Sequence, residues 1–424
     1  MGLNVYKFGG ASIGKVSSLQ QVLNIIKNDA PGLVVVSALG KTTNRLEEVL
    51  SQMLEGKKTE ALALLDAVLD NHFSVFSGAG ISKENLRTTL SAIRSDFLAR
   101  SKELGGLLYD EAYDSIVSLG ELLSTKLMRL ALTNAGVDSE WWDARRLIYT
   151  NSQFREGEVD WVNTELAILN QWKSDQTKVV ITQGFIGADP FGKTTTLGRE
   201  GSDFSGAIFA SVLRADSFTI WKDVPGLMTG DPKVFKDVEK LVELDYSEAM
   251  ELAYYGASVI HPKTIAPLKK RNIPLWVKSF INPAGIGTLI HALQHKPKLP
   301  QSIILKANQV LVTLSTLDYT ILSDDKMAKV LSTLQAAGLK SNLIEINALN
   351  ISVCLDFDQF RLSQFLSALQ GDFAVKYNLN LGLLTIRHGD TDAVPNLVAK
   401  SRVLVEQRNR VMRRWVFPYG DNQE

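Results

Sequence analysis

Apolar residues follow two rhythms along this chain. Short runs of consecutive or alternating apolar positions read as strands: "LNVYKF" (3–8), "GLVVVSA" (32–38), "KVVITQGFIG" (178–187), "SFTIWKD" (217–223) and "IPLWVKS" (273–279). Between them, "VSSLQQVLNIIK", "TEALALLDAVLDNHFSVF" and "SIVSLGELLSTKLMRLALTNAG" space their apolar residues three and four apart, which predicts amphipathic helices. "GLVVVSA" holds a short continuous apolar run, as a parallel strand covered on both faces does. Strands alternating with helices predict an α/β/α sandwich with a mainly parallel sheet.

The rhythm breaks at 294–302, "QHKPKLPQS", where two prolines stand among basic residues. Beyond it the elements shorten. "QVLVTLS", the helical "DDKMAKVLSTLQAAG", "LIEINA", "ISVCLDF", the helical "DQFRLSQFLSALQ" and "FAVKYN" give a β-α-β-β-α-β order, the ferredoxin-like pattern. A shorter second pass follows in "LGLLTIRH", a helix near 392–400, "RVLVEQ" and "RVMRRWVF". The expected division is a large α/β domain over 1–297 and two small α+β units over 298–424. The first unit covers about 308–378 and the second about 379–424, with "SIILK" (302–306) as a candidate edge strand of the second.

Composition narrows the function classes. Of 424 residues, 45% are hydrophobic and 22% charged, ordinary for a globular protein. The 46 Lys plus Arg cancel the 46 Asp plus Glu, so no global charge draws the chain to nucleic acid or an anionic membrane. Arg408, Arg410, Arg413 and Arg414 alternate with apolar residues and read as a solvated strand face. The single cysteine, Cys354, lies in an alternating strand and reads as a packing residue. No stretch approaches the ~18 apolar residues of a membrane span. With no charged-then-apolar leader pattern at "MGLNVYKFGG", a reduced, cytoplasmic setting is expected.

The chemistry-bearing stretches lie where strands give way to helices. "KFGGASIGK" (7–15) can turn backbone N–H groups toward an anion, with Lys7 beside Gly9 and Gly10. It is not a P-loop, because Val16 stands where that motif requires a hydroxyl. "TTTLGREGSDFSGA" (194–207) gathers hydroxyls, Arg199 and Asp203 before a helix. A capped helix explains Gly201, Ser202 and Asp203 but not Thr194, Thr195, Thr196 and Arg199, so the stretch reads as an anion site. Ser37 and Thr43 in "VVVSALGKTTNRL" bind a ligand or close a turn, with neither favoured by sequence alone. Glu121 stands in a largely apolar helix and can meet an ammonium group, although a lone helical glutamate is more often solvated.

"KFGGAS", "VVSA…TTNRL", "LGELLS", "QGFIG", "TTTLGREGSDFSGA", "IWKDVPGLMTGDP" and "ELAYYGASVIHPKTI" together resemble the aspartate kinase pattern of the amino-acid kinase family, over roughly residues 4 to 291. The tail resembles that family's paired ACT regulatory domains. The resemblance implies ATP-dependent phosphorylation of the L-aspartate side-chain carboxylate, with Mg²⁺ held mainly through the nucleotide phosphates. It assigns catalysis to Lys7 and Asp203. It places Ser37, Thr43, Glu121, Phe185, Arg199, Gly201 and Ser202 at the amino acid, Arg199 on the α-carboxylate and Glu121 on the ammonium. Phe8, Gly9, Gly10, Ser12, Lys222, Asp223, Met228, Lys233 and Ser258 would face the nucleotide. Lys222, Met228, Lys233 and Ser258 depart from the family's usual threonine, tyrosine, arginine and lysine, and Ala11 from its threonine. A homodimer through the ACT-like region and an amino-acid effector are implied; nucleic acid and membrane are not. Two rivals stay open: an amino-acid-sensing paralogue with a degraded nucleotide site, and a kinase for another small acid such as glutamate.

Overall fold

The computed structural model describes residues 2–173, 176–256, 260–295, 298–318, 320–388 and 395–420. The chain forms two compact units: residues 1–227, 240–254 and 258–296 in one, and 228–239, 255–257 and 297–424 in the other.

The first unit runs β1 (Asn4–Phe8), α1 (Val16–Asp29), β2 (Leu33–Val36), α2 (Thr42–Leu54), α3 (Lys58–Gly78), α4 (Lys83–Arg100), α5 (Tyr109–Asn134), β3 (Ser139–Trp142), α6 (Trp161–Gln171) and β4 (Val179–Gln183). It continues with β5 (Ile186–Ala188), β6 (Thr194–Thr196), α7 (Gly201–Val212), β7 (Ser217–Lys222), β8 (Glu243–Asp245), α8 (Tyr246–Tyr255), α9 (Pro262–Arg271), β9 (Leu275–Ser279) and β10 (Thr288–His291). Eight strands form one sheet in the order β3-β4-β2-β1-β7-β9-β10-β8, and β5 pairs with β6 as a separate hairpin. Among the described residues, only the β9–β10 pair of the large sheet is antiparallel.

The four residues of β2 are buried without exception, as the unbroken apolar run requires. Helices α1 to α5 pack their apolar stripes into one cluster that includes Phe8, Ile26, Val36, Leu50, Phe76, Leu119 and Trp221. From β1 the chain first adds β2 on one side and later β7 on the other. Strand order therefore reverses at β1, and the crevice at the carboxyl ends of β1, β2 and β7 is where such sheets bind ligands.

The second unit contains β11 (Ser302–Thr316), α10 (Asp324–Ala336), β12 (Ser341–Ile346), β13 (Asn350–Asp356), α11 (Gln359–Leu369), β14 (Phe373–Arg387), α12 (Asn396–Ala399), β15 (Val405–Arg408) and β16 (Met412–Pro418). All six strands join one antiparallel sheet, β12-β13-β11-β14-β16-β15. "FAVKYN" and "LGLLTIRH" are thus not two strands but one, β14, and "SIILK" and "QVLVTLS" together make β11. Asn308 and Asn380, at φ 55° and 56°, supply the left-handed residues that let both ribbons bend near their register shifts without breaking. Arg414 is not on a solvated face either. It is buried with its guanidinium 5.0 Å from the Tyr255 ring centroid, and it donates to the Asn342 carbonyl at 2.6 Å. Cys354 is fully buried, and burial pushes its thiol up to about 12.

Candidate active site

Lys7 occupies the penultimate position of β1, opposite Ile220 of the parallel strand β7. Lys222 follows Ile220 by two residues, so strand periodicity puts both lysines on one face of the sheet, offset by about 6.6 Å along it. Asp203 comes to meet them from the first turn of α7. Lys7 Nζ lies 2.6 Å from Asp203 Oδ1 and Lys222 Nζ lies 2.9 Å from Oδ2. Burial works against the Asp203 charge, yet the two ammonium groups hold its carboxyl below the usual carboxylate range. Lys7 is pushed down by burial, and by Lys222, against the pull of Asp203. Burial also opposes the Lys222 charge, but Asp203 and then Glu200 outweigh it and raise that group.

The loop after β1 fits against the loop after β2. A Cβ on Gly10 would fall 2.5 Å from the Ala38 carbonyl oxygen and 2.8 Å from that of Gly40, so only glycine fits there. The Gly40 amide donates to the Gly10 carbonyl at 2.9 Å. On Gly9 a Cβ would instead meet Lys7 Nζ at 3.5 Å, which shows how close the ammonium lies to bare backbone. Phe8 is buried and stacks on Trp221, serving the core directly beneath this turn. Ser12 is buried with its hydroxyl unpartnered.

Glu121 is no solvated helical glutamate. It is buried in α5 and accepts a backbone hydrogen bond from Ala38 in the loop after β2, while its Oε2 has no partner. Burial pushes its carboxyl up to about 8. One turn on, Ser124 Oγ accepts the Leu39 amide at 2.9 Å, and the buried His72 of α3 lies behind it with Nε2 at 3.5 Å. Sequence reasoning missed this support for the loop that carries Ser37 and leads to Thr43 in the first turn of α2, both half-buried.

The stretch 194–205 splits into a structural and an open half. Thr195 Oγ1 meets Thr150 Oγ1 at 2.6 Å, and Thr196 donates to the buried Asp114 through both its amide (2.8 Å) and its hydroxyl (2.7 Å). These two hydroxyls therefore bind the protein, and neither is left for the anion expected across the whole stretch. Arg199 is exposed, and Ser202 is buried against Gly184, where a Cβ would lie 2.5 Å from that of Ser202. Gly201 leaves room for Phe185, a half-buried residue at φ 72° whose amide donates to Ser205 Oγ.

Two further residues of this region went unread in the sequence. Asp114 looks like any acidic residue early in a helix. Glu200 adopts φ 54° immediately before α7, buries one carboxyl oxygen without a partner, and interacts electrostatically with Lys222, Asp203, Arg199 and Lys7.

The chain matches the amino acid kinase family over residues 2–279. It belongs to that family. Lysine-sensitive aspartokinase 3 of Escherichia coli (strain K12) is 34% identical over 357 residues, 83% of this chain and 78% of the relative. Bifunctional aspartokinase/homoserine dehydrogenase 1 of Zea mays is 32% identical over 295 residues; these are 68% of this chain but 32% of the maize protein. The crystal structure of E. coli aspartokinase III in complex with aspartate and ADP is similar at a TM-score of 0.85 and 28% identity, with 98% of this chain and 96% of that one covered.

Set in the family frame, Asp223 follows β7 and is exposed. Met228 and Lys233 fall in the segment that groups with the second unit, where the Lys233 amide donates to Asp231. Ser258 lies outside the described residues. His261 does structural work, its Nδ1 accepting the Lys263 amide at the start of α9.

Proposed function

We propose that the chain transfers the γ-phosphoryl group of ATP to the side-chain carboxylate of L-aspartate, giving 4-phospho-L-aspartate for lysine, threonine and methionine synthesis. The arrangement that carries this reading is the buried Lys7–Asp203–Lys222 cluster at the sheet's switch point. Its support from relatives is the E. coli enzyme bound to aspartate and ADP.

A carboxylate of pKa ~4 is already ionised at neutral pH, so the acceptor needs no general base. The difficulty is bringing two anions together, which calls for fixed positive charge. Lys7 supplies it at the transferring group and Asp203 orients Lys7. Arg199 takes the α-carboxylate of the substrate, Glu121 its ammonium, and Ser37, Thr43, Phe185, Gly201 and Ser202 line its pocket. Gly9, Gly10, Ser12 and the backbone at Phe8 receive the phosphates. Lys222 and Asp223 face the nucleotide as well.

Mg²⁺ demands near-octahedral oxygen ligands and often takes them from phosphates. Asp203 already serves two lysines, and the described residues hold no cluster of three metal-binding side chains. The ion would therefore ride mainly on the nucleotide, where it neutralises phosphate charge. The second unit is assigned to homodimer formation and amino-acid control; the E. coli relative is itself lysine-sensitive.

Incubation with Mg·ATP, L-aspartate and hydroxylamine traps an acyl phosphate as a coloured hydroxamate. Colour that requires aspartate and disappears in folded Lys7→Ala and Asp203→Ala is the expected result. Absence of colour in a protein that still binds aspartate would make it a sensor. Colour with glutamate in place of aspartate would change the substrate.

A further inference from the structure

The three charges at the transfer centre do not balance. Asp203, with its side chain 1% exposed, neutralises one ammonium, yet it receives two, from Lys7 at 7% exposure and Lys222 at 21%. The surplus positive charge stands at the N-terminus of α7, where unsatisfied backbone N–H groups add to it. A buried excess cation is costly unless something completes it. Glu200 offers a partial counterweight, but burial raises its carboxyl toward the neutral form. That an L-residue holds φ 54° at this point is a strain of the kind functional sites retain.

Lys222 also differs from Lys7 in what it has left to give. An ammonium carries three donors, and Asp203 takes one of them from Lys222. Its partial exposure leaves the others facing outward from the carboxyl end of β7, on the same face as Lys7 and farther along. An anion entering the crevice thus meets Lys7 deep and Lys222 nearer the mouth.

We propose that Lys222 is a second catalytic lysine, which bonds the oxygens of the γ-phosphoryl group while it moves, rather than a residue that only holds nucleotide. The inference rests on the transfer centre described under the proposed function. In the step, a substrate carboxylate oxygen forms a bond to Pγ while the bond from Pγ to the β,γ-bridging oxygen breaks, and its electron pair leaves with ADP. No proton moves. Charge spread over the three equatorial oxygens is then held by two ammonium groups from neighbouring strands, both oriented by Asp203.

The test separates transfer from binding. In the full chain, Lys222→Met, Lys222→Arg and Lys7→Met are compared for kcat and KM in the hydroxamate assay. The Kd of a Mg²⁺ complex of a non-hydrolysable ATP analogue is measured by calorimetry. A second catalytic lysine predicts that Lys222→Met lowers kcat about 100-fold while the analogue's Kd and the aspartate KM move less than about threefold. Lys222→Arg, which keeps a cation, should recover at least about a tenth of wild-type kcat.

Unchanged kcat in Lys222→Met, or a weakened Kd with kcat intact, overturns the proposal and leaves Lys222 as a nucleotide contact or a structural residue. If Lys222→Met does not fold, Lys222→Gln, which removes the charge but keeps a polar side chain, takes its place under the same two outcomes. Lys7→Met guards the underlying reading, since full activity there would sink the transfer centre itself rather than this extension of it.

Discussion

Asp114 Oδ2 accepts the Thr196 amide at 2.8 Å, a bond from the second turn of α5 to the end of the β5–β6 hairpin. The same carboxylate takes the Thr196 hydroxyl and the Arg155 amide. Arg199 leaves that hairpin three residues later, so Asp114 sets where this arginine, proposed to take the substrate carboxylate, starts. Asp114→Leu, close in shape, removes both acceptor oxygens and leaves the Thr196 and Arg155 amides and the Thr196 hydroxyl facing an apolar side chain. An unmet buried polar group costs about 1–3 kcal/mol. We expect a melting temperature lowered by several degrees and an aspartate KM raised about tenfold, with ATP KM little changed; equal KM values would refute the positioning role. Burial raises the Asp114 carboxyl to about 6. Protonation below that pH removes acceptor capacity, so the wild-type aspartate KM should begin to climb as pH falls through about 6.

The role proposed for Glu121 predicts that substrate binding releases a proton. Its carboxyl is pushed up to about 8 by burial, so in the free protein it is mostly protonated at pH 7. A substrate ammonium at its unpartnered Oε2 would favour the ionised form. Aspartate binding at pH 7 should then release close to one proton, measured by calorimetry in buffers of different ionisation enthalpy. Glu121→Gln should abolish the release. For stability the sign runs the other way: the folded state keeps a proton that the unfolded state loses above about 4.5, so stability falls as pH rises from there to about 8. Glu121→Gln should remove that slope.

The turn after β1 offers two adjacent glycines with opposite expectations. Gly10→Ala drives a methyl into two backbone carbonyls, neither of which can swing away as a side chain would. It should prevent folding of this loop and leave less than about 1% of activity. Gly9→Ala, at φ −79°, meets only the end of Lys7 at an ordinary contact distance. It should fold, with a melting temperature within a few degrees of wild type, and lose nucleotide affinity if phosphates approach there. Normal affinity in Gly9→Ala would move the phosphates elsewhere.

What the sequence disclosed depended on whether the signal was local. β2 was legible because a strand buried on both faces must be apolar throughout, and α3 and α5 because their stripes recur over many turns. The three-residue strand β6 was not, since "TTT" carries neither rhythm, and β5 was merged with β4 in the run 178–187. β14 read as two strands because its middle, "KYNLN", is exposed and polar, and nothing in that composition tells a bent ribbon from a turn. Arg414 was misread because its cover, Tyr255, is distant in sequence. At the site, the glycine and strand-end signals brought Lys7, Gly10 and Asp203 forward. Glu200, Asp114 and the His72–Ser124 contact gave no signal, since their meaning lies in partners that only the fold supplies.

His72 gives the protein an acid sensitivity of identifiable origin. The side chain is fully buried in α3, its Nδ1 lies 2.8 Å from the Val68 carbonyl, and its Nε2 faces Ser124 Oγ. The Val68 contact requires Nδ1 to carry the proton, which leaves Nε2 to accept from Ser124. Burial lowers the imidazole from 6.5 to about 4, since charging it would mean an imidazolium in the apolar core. As pH falls, the unfolded chain therefore takes up a proton at 6.5 while the folded chain resists until about 4. Stability contributed by neutral His72 is complete above 6.5 and declines across that window by about 3 kcal/mol. Thermal melts of wild type and His72→Gln between pH 7 and pH 4 should diverge in slope, the variant losing less stability over the interval by about that amount. Parallel curves would mean that the imidazole is protonated alike in both states, and that Ser124, with the Leu39 loop it supports, is held by other means.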